Sequence, residues 1–272
     1  MRLRLRNELR LGLSPDRIVT VGYRRGFRNS IYERSIEELG APAAGPPWQS
    51  AVEALSRAVA SDRGRLSDAV VVLSNHFARY AVLPWTPALK TEADWLAYAK
   101  HTLAAIYGAE AAGWEVRLCC SGRGKARIAC GIDAELIAAI SATVREAGAR
   151  LRSIQPYLAV VFNRLRKSID REGACIALQE AGRLTLCIVG AKGLSAVRSR
   201  RTHGDGIAAL ARLLAHERVF AEEAGGPRRV LICTDEPLEL ASEPRQGAVR
   251  LEDRTLGRRD PPDLRRYALA LA

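Results

Sequence analysis

Residues 174–206, ACIALQEAGRLTLCIVGAKGLSAVRSRRTHGDG, give the clearest indication of the fold. Three strand-like apolar runs follow one another here, separated by turns at residues 180–183 and 191–193. Each turn contains a glycine. A Gly-rich corner at residues 203–206 then opens a helical stretch. This segment therefore predicts three consecutive strands followed by a helix.

The N-terminal part of the chain repeats this order. After three strand-like runs, apolar residues recur at helical spacing from Trp48 to Val59. The continuous apolar run 69–73 then has the character of a strand buried on both faces. In the second half, a helix at 207–219 and a strand at 229–233 follow in the same way. Two copies of β-β-β-α-β predict an α/β protein with two domains.

An inserted α/β subdomain is predicted at about residues 77–133, within the first of these copies. Its helix is expected to begin after Thr91, a good N-cap residue, with Asp94 three positions later to complete a capping box. We place the first domain at residues 1–168, including this insertion, and a shortened second domain at residues 169–272.

The charge of the chain is strongly positive, at +12, and five of its 42 basic residues are lysines while the other 37 are arginines. The arginines are scattered without a long basic run, which favours a general compositional bias over a functional basic face. If such a face exists, an anionic membrane surface is as plausible a partner as DNA. Nucleic acid is therefore not the expected partner.

The cellular compartment is predicted from the length of the apolar runs and from the sequence context of the cysteines. No apolar run is long enough to span a bilayer, and the basic start at residues 1–6 is not followed by the apolar core of a signal peptide. The six cysteines lie in apolar, strand-like contexts and form no Cys-x-x-Cys motif. We expect a cytoplasmic protein whose cysteines are buried as small hydrophobic residues in a reducing compartment.

Residues 121–125, SGRGK, have the composition of a phosphate-binding loop but not its pattern. A P-loop needs four residues between its glycines, a Ser or Thr after the Lys, and a following helix. None of these is present, and Ala126 begins a strand-like run. The segment is predicted to be a hairpin turn, in which glycine supplies the backbone conformation.

The four histidines, His76, His101, His203 and His216, form no metal-binding pair in the sequence. Only His203 lies in a candidate ligand loop, where Gly204-x-Gly206 at a helix start could bind an anion through free backbone N–H groups. No Gly-x-Ser-x-Gly motif is present. The sequence therefore offers no catalytic, cofactor-binding or metal-binding residues, and no cofactor is predicted.

Two stretches resemble a known family. Residues 69–74, AVVVLS, with 77–84, FARYAVLP, resemble the strand–turn–strand with a terminal Leu-Pro of PilM-like proteins. Residues 146–156, EAGARLRSIQP, resemble the strand and Pro-started helix that lead into that family's second domain. PilM-like proteins are the actin-like cytoplasmic components of type IV pilus assembly, and the cytoplasmic region of GspL proteins of type II secretion is related.

The resemblance covers about residues 8–235 and is a match of pattern and order. It implies an α/β fold of the actin-like (ribonuclease H-like) class, with two domains and an inserted α/β subdomain. By this resemblance the protein would dock the cytoplasmic tail of an inner-membrane pilus or secretion protein and link it to the assembly ATPase. The inserted subdomain and the groove beside it would form the contact surface.

The chain departs from ATP-binding members of the family at the first two turns that hold nucleotide. Those members carry Asp and Gly in the first hairpin turn, where this chain has Gly12 and Ser14. In the second turn Gln179 and Ala181 replace Asp and Gly, whereas a shift of one residue would align Glu180 and Gly182 instead.

At the third place, the late Gly-Gly loop that holds adenosine, this chain has residues 234–237, TDEP. Carboxylates are needed to hold the metal that bridges the phosphates, and glycines where backbone approaches them. Departures at three places argue against ATP hydrolysis, although Asp16 and Glu180 lie nearby and could compensate.

Three hypotheses follow, of which a non-catalytic scaffold (a pseudo-ATPase) at the cytoplasmic side of the inner membrane is favoured. The second is an actin-like ATPase or sugar-kinase-like enzyme with atypical nucleotide loops. The third is an Arg-rich protein that binds nucleic acid or a membrane surface, which would show a steep fall of affinity with salt.

Overall fold

The computed structural model describes residues 7–24, 30–40, 45–61, 66–119, 122–169, 173–190, 193–202, 210, 229–235, 245–246, 249–255 and 262–271. Its strands are β1 (Asn7–Leu13), β2 (Arg17–Arg24), β3 (Ser30–Glu38), β4 (Leu66–Leu73), β5 (Ala78–Leu83), β6 (Trp114–Leu118), β7 (Arg127–Asp133), β8 (Arg150–Pro156), β9 (Ala174–Glu180), β10 (Arg183–Gly190), β11 (Gly193–Arg201), β12 (Arg229–Thr234), β13 (Arg245–Gln246) and β14 (Val249–Asp253). Its α-helices are α1 (Gln49–Ser61), α2 (Glu92–Tyr107), α3 (Ala134–Glu146), α4 (Tyr157–Leu165) and α5 (Ala268–Leu271).

The described residues form two compact units. The first unit takes its residues from Met1–Ala78, Ile132–Val161 and Arg266–Ala272, and the second from Arg79–Gly131 and Phe162–Arg265. Each unit is thus assembled from separate chain segments, and the predicted domains at 1–168 and 169–272 stay a prediction.

The first unit contains a five-stranded sheet with the order β3-β2-β1-β4-β8. Strands β1, β2 and β3 pair antiparallel, whereas β4 lies parallel to β1 and β8 parallel to β4. Helix α1 packs against α3, and α5 contacts β1 and β2. The side chains of Leu9, Leu11, Leu13, Val71 and Leu73 are fully buried, as the apolar pattern of a central strand requires.

The second unit contains a six-stranded sheet with the order β11-β10-β9-β12-β14-β13. Strands β9, β10 and β11 form an antiparallel meander, and β12 lies parallel to both β9 and β14. Its core cluster draws on both the meander and the later strands: Cys175, Ala177, Leu184, Leu186, Leu210, Val230, Ile232 and Leu251. The two sheets share three antiparallel strands followed by parallel ones, so the predicted repetition of strand order is confirmed.

The inserted subdomain is a third sheet, with the order β5-β7-β6, covered by α2. Its core contains Leu83, Trp95, Leu103 and Val116, contributed by two of the strands and one face of the helix. The side chain of Thr91 accepts a hydrogen bond from the Asp94 backbone, and Asp94 accepts one from Thr91, so the predicted capping box is present. Residues 122–125 lie in the predicted turn between β6 and β7, where Gly124 has φ +80°.

Some expectations from the sequence were wrong in detail. Helix α4 begins at Tyr157, because Pro156 still lies in β8 and pairs with Leu73. Cys119 is exposed rather than buried, since it follows the last residue of the edge strand β6. Strands β13 and β14 were not predicted from the proline-broken sequence that follows Thr234. Strand β14 is formed by parallel pairing with β12, whose residues lie 21 positions earlier in the chain, and β13 is formed by antiparallel pairing with β14.

Candidate functional site

The first turn of interest joins β1 to β2 and is closed by its own side chains. Ser14 Oγ lies 2.7 Å from Asp16 Oδ1 and 2.9 Å from the Arg17 carbonyl oxygen, so its hydroxyl can donate to either. The Ser14 N–H also donates to the Arg17 carbonyl at 3.0 Å. The Arg17 Nε lies 3.9 Å from Asp16 Oδ2. The Asp16 carboxylate thus has a hydroxyl and a cation within its own turn.

Gly12 lies within β1, and its missing side chain makes room for helix α5. A Cβ at this position would lie 2.7 Å from Leu269 Cγ, 2.9 Å from Leu269 Cβ and 3.1 Å from the Ala270 N. Real Cβ atoms do not approach other atoms so closely, and the contact includes backbone as well as side chain. Packing of α5 therefore accounts for glycine here without any phosphate.

The second turn joins β9 to β10 and places a carboxylate opposite an arginine. Glu180 and Arg183 are directly paired across the hairpin, with Gly182 between them at φ +68°. The Gly182 carbonyl accepts a hydrogen bond from the Thr202 N–H at 3.0 Å. Glu180 is close enough to Arg183 to favour the charged form of that guanidinium. The carboxylate that could compensate for a lost metal ligand therefore faces a positive charge.

The segment that follows β12 corresponds to the late Gly-Gly loop of ATP-binding relatives. Here it is held by a network of polar side chains. The Thr234 N–H donates to Thr255 Oγ1 at 3.0 Å, and Thr255 Oγ1 donates to Asp253 Oδ1 at 2.8 Å. Arg265 forms an ion pair with Asp253 Oδ2 and also donates to the Thr234 carbonyl at 3.4 Å. Burial disfavours the Asp253 carboxylate, but hydrogen bonds from Arg265 and Thr255 outweigh it and hold its pKa below the ordinary value. Residues 236 and 237 of this loop lie outside the described residues.

A second carboxylate of β14, Glu252, is held by two arginines. Arg229 donates from Nε and Nη2 to the two carboxylate oxygens at 2.9 and 3.2 Å, and Arg254 Nη2 donates to Glu252 Oε2 at 2.7 Å. The hydrogen bonds from Arg229, assisted by Arg254, lower the pKa of Glu252 to about 2. This forked pairing ties β12 to β14.

The remaining candidates show no cluster suited to catalysis in the part of the chain that the structure describes. His76 is partly buried after β4, and His101 is exposed on α2. Within the described residues, no group of three or more His, Cys, Asp or Glu side chains could hold a metal ion. His203, Gly204, Gly206 and His216 lie outside the described residues.

Three arginines that pair with carboxylates at or near these turns were not predicted from the sequence. Arg183, Arg229 and Arg265 each lie against a carboxylate of the second unit. Their partners are between three and 23 residues away, and each pair depends on strand register or on a chain reversal. An evenly Arg-rich sequence gives no signal to select these three from the other arginines.

Large exposed apolar side chains are concentrated in the inserted subdomain. Among the described residues they are Ile106, Trp85 and Ile31, with 57%, 39% and 38% of their surface exposed. The first two lie in the inserted subdomain, at the end of α2 and after β5. Exposed aromatic and aliphatic side chains are common in surfaces that bind other proteins.

Solved structures show what this chain is similar to. The cytoplasmic domain of EpsL, an inner-membrane component of the type II secretion system of Vibrio cholerae, matches with a TM-score of 0.60 and 14% identity, covering 97% of this chain and 93% of that one. The PilM-PilN type IV pilus biogenesis complex matches at 0.61 and 16%, covering 96% of each chain. A Bacteroides thetaiotaomicron protein with an actin-like ATPase fold and unknown function matches at 0.57 and 11%, covering 85% of this chain and 83% of that one.

These similarities confirm the predicted actin-like α/β fold with its inserted subdomain. At such low identities they establish the fold and no more. The sequence matches no protein-family model, and no curated protein matches it. None of the helices in the described part of the chain has both the length and the apolar character needed to cross a membrane.

Proposed function

We propose that this protein is a non-catalytic, actin-like scaffold of a type IV pilus or type II secretion-like assembly. It docks the cytoplasmic tail of an inner-membrane protein and links that protein to the assembly ATPase. In this role it lies at the cytoplasmic side of the inner membrane. It needs the rigid fold of an actin-like protein but no nucleotide.

The proposal is supported by one observation: the carboxylates at the three turns interact with other side chains of the same chain. Asp16 accepts from Ser14, Glu180 faces Arg183, and Asp253 is paired with Arg265 beside Thr234. Mg²⁺ requires near-octahedral oxygen coordination, and carboxylates already neutralised by arginine are poor ligands for it. The fold is thus present while its carboxylates stabilise the turns themselves.

The similar structures support the kind of assembly. EpsL is described as an inner-membrane component of a secretion system, and PilM is in complex with PilN in a pilus biogenesis system. Both similarities extend over more than nine-tenths of each chain. An actin-like fold in a protein–protein complex is therefore a suitable precedent for a scaffold.

The inserted subdomain is the proposed docking surface. It carries the exposed Trp85 and Ile106, which would be covered by an apolar segment of the partner. The same subdomain has a polar edge, because the strand β6 ends the three-stranded sheet and carries the exposed Glu115 and Arg117. Apolar anchors with a charged rim are the usual composition of a protein interface.

A pull-down from native membranes tests the docking. The tagged protein is expected to recover a single-span inner-membrane protein together with a hexameric ATPase. Replacing Ile106 by Asp should reduce this recovery at least tenfold, since an unpaired carboxylate buried against an apolar partner segment costs more than about 1.4 kcal/mol of binding. Ile31→Asp, which changes another exposed isoleucine that lies in the first unit, is the control and should recover both proteins. Equal recovery by wild type and Ile106→Asp would refute the docking surface.

A turnover assay distinguishes the scaffold from an ATPase of the same fold. We expect no ATP hydrolysis above the rate of the buffer. Hydrolysis that is abolished by Glu180→Ala would assign a catalytic carboxylate to the second turn and would refute the scaffold without catalysis. Glu115→Ala, an exposed carboxylate on β6, is the control for loss of charge alone.

A further inference from the structure

One edge of the three-stranded sheet in the inserted subdomain is complementary to itself. Strand β6, with the sequence WEVRL at residues 114–118, is the last strand of this sheet in the part of the chain that the structure describes. A strand at the edge of a sheet presents backbone N–H and C=O groups with which another strand can pair. We propose that β6 pairs antiparallel with β6 of a second copy of this chain, so that the two subdomains share one continuous sheet.

The backbone of β6 is oriented for this pairing. The N–H of Cys119, the residue after β6, donates to the Ile128 carbonyl of β7 at 2.9 Å. Because the direction of the backbone groups alternates along a strand, the N–H and C=O groups of Trp114, Val116 and Leu118 are directed away from β7 and toward the edge. In a two-fold antiparallel pair, Val116 exchanges two N–H···O bonds with Val116 of the second copy, and Trp114 pairs with Leu118.

The charges of β6 select this register. Glu115 and Arg117 lie on the exposed face, where Arg117 Nη2 is 2.8 Å from Glu115 Oε1. When Val116 lies opposite Val116, each Glu115 lies opposite the Arg117 of the other copy, so the four charges alternate in sign. Sliding the pair by two residues in either direction places Glu115 opposite Glu115 or Arg117 opposite Arg117. Like charges in directly opposite positions destabilise a sheet, so the register centred on Val116 is favoured.

The other face of β6 adds an apolar contact. Val116 is buried in the core beneath α2, and Trp114 and Leu118 are partly buried beside it. The ring of Trp114 also packs edge-to-face against that of Tyr107, with their centroids 5.4 Å apart. Pairing sets Trp114 of each copy against Leu118 of the other and covers the surface that both side chains still expose. Aromatic and aliphatic cross-strand pairs of this kind stabilise a sheet.

A second copy fits this edge because the match is two-fold symmetric. An isologous interface requires one patch that is complementary to itself, and β6 has opposite charges at equal distances from its central residue. The edge strand β11, in contrast, carries Arg198, Arg200 and Arg201 and no acidic residue, so two copies of it would repel each other. Pairing of two five-residue strands buries a small area, and we therefore expect a weak dimer that forms at a chain concentration of ~100 µM.

Sedimentation equilibrium of the purified full chain at ~10–500 µM, in about 0.15 M salt, tests the pairing. This salt screens the repulsion between copies that each carry a net charge of +12. Wild type should show an equilibrium of monomer and dimer. Glu115→Arg and Arg117→Glu should each weaken the dimer at least about tenfold, since each places like charges opposite each other.

Two controls separate pairing from general effects of charge and folding. Glu53→Arg replaces an exposed carboxylate of the first unit and changes the net charge as Glu115→Arg does, so it should dimerise like wild type. Circular dichroism of Glu115→Arg and Arg117→Glu should match wild type, because both side chains are exposed.

An equimolar mixture of Glu115→Arg and Arg117→Glu tests the register itself. In the mixed dimer each substituted side chain lies opposite an opposite charge, so the mixture should dimerise like wild type. The double variant Glu115→Arg/Arg117→Glu should do the same, since its strand is again complementary to itself.

Wild type that stays monomeric up to about 500 µM, or a mixture that dimerises no better than either variant alone, would overturn the proposal. Monomeric wild type together with lower recovery of the inner-membrane protein by Glu115→Arg in the pull-down would also refute it, and would assign the edge to that protein. The sedimentation experiment contains no partner protein, so the failure of the dimer and the failure of the proposed scaffold function are separate results.

Discussion

At the scale of residues, the positions that correspond to the nucleotide-binding turns of ATP-binding relatives stabilise the fold of this chain. Gly12 leaves space for helix α5 to pack on β1, Asp16 accepts a hydrogen bond that closes the first hairpin, and Glu180 lies opposite Arg183. A glycine or a carboxylate is informative about function only after its neighbours are known. Here the neighbours are a leucine, a serine and an arginine of the same chain.

Replacing Gly12 by Ala tests the packing role. The new methyl group would collide with Leu269 and with the backbone of Ala270, so we expect a loss of about 1–3 kcal/mol in the free energy of unfolding. Urea unfolding followed by circular dichroism measures the change. Gly40→Ala is the control, since nothing lies within 4 Å of a Cβ there. Equal stability of Gly12→Ala and wild type would show that α5 does not need this glycine.

The pH dependence of stability tests the pairing of Glu252. Because its pKa is lowered to about 2 in the folded protein by the hydrogen bonds from Arg229, it contributes stability above its unfolded pKa of about 4.5 that is lost as the pH falls toward 2. Glu252→Gln should lower the free energy of unfolding at pH 7 by about 1–2 kcal/mol, allowing for solvent screening.

The same variant supplies its own control at acidic pH. A protonated Glu252 is equivalent to glutamine, so the difference between wild type and Glu252→Gln should shrink as the pH falls from about 4.5 toward 2. Urea unfolding at a series of pH values measures this. A difference that stays constant over the acidic range would show that the carboxylate charge does not stabilise the fold.

At the scale of elements, signals within a short stretch of sequence predicted structure well. The capping box of α2 depends on residues three positions apart, and the meander of the second sheet on alternating apolar runs and glycine turns. Strand β14 could not be predicted in this way, because its existence depends on parallel pairing with β12. The network of Asp253, Thr255 and Arg265 likewise arises only when separate segments meet.

Loss of the N-cap of α2 tests the local signal. Thr91→Ala removes the hydroxyl that accepts from the Asp94 backbone N–H at 3.1 Å and should lower the free energy of unfolding by about 1 kcal/mol. Thr91→Ser keeps the hydroxyl and should be close to wild type. Chemical denaturation of both variants gives the comparison. Equal losses for Ala and Ser would assign the effect to the lost methyl group instead of the cap.

At the scale of the whole molecule, an actin-like fold is retained while the carboxylates at its turns are engaged within the chain. The fold could be predicted because the pattern of three strands, a helix and a further strand occurs twice in the sequence. The ion pairs at the candidate site could not be predicted from the sequence. The partners of Glu180 and Asp253 are arginines, and nothing in a sequence with 37 arginines indicates which of them form these pairs.

Isothermal titration of the full chain with Mg-ATP tests the central claim most directly. We predict no binding in the micromolar range, with or without Mg²⁺, because the carboxylates of Asp16, Glu180 and Asp253 already interact with groups of the same chain. Omitting Mg²⁺ in a parallel titration separates a metal-dependent nucleotide site from weak association of phosphate with arginine. Micromolar binding that requires Mg²⁺ would contradict the account.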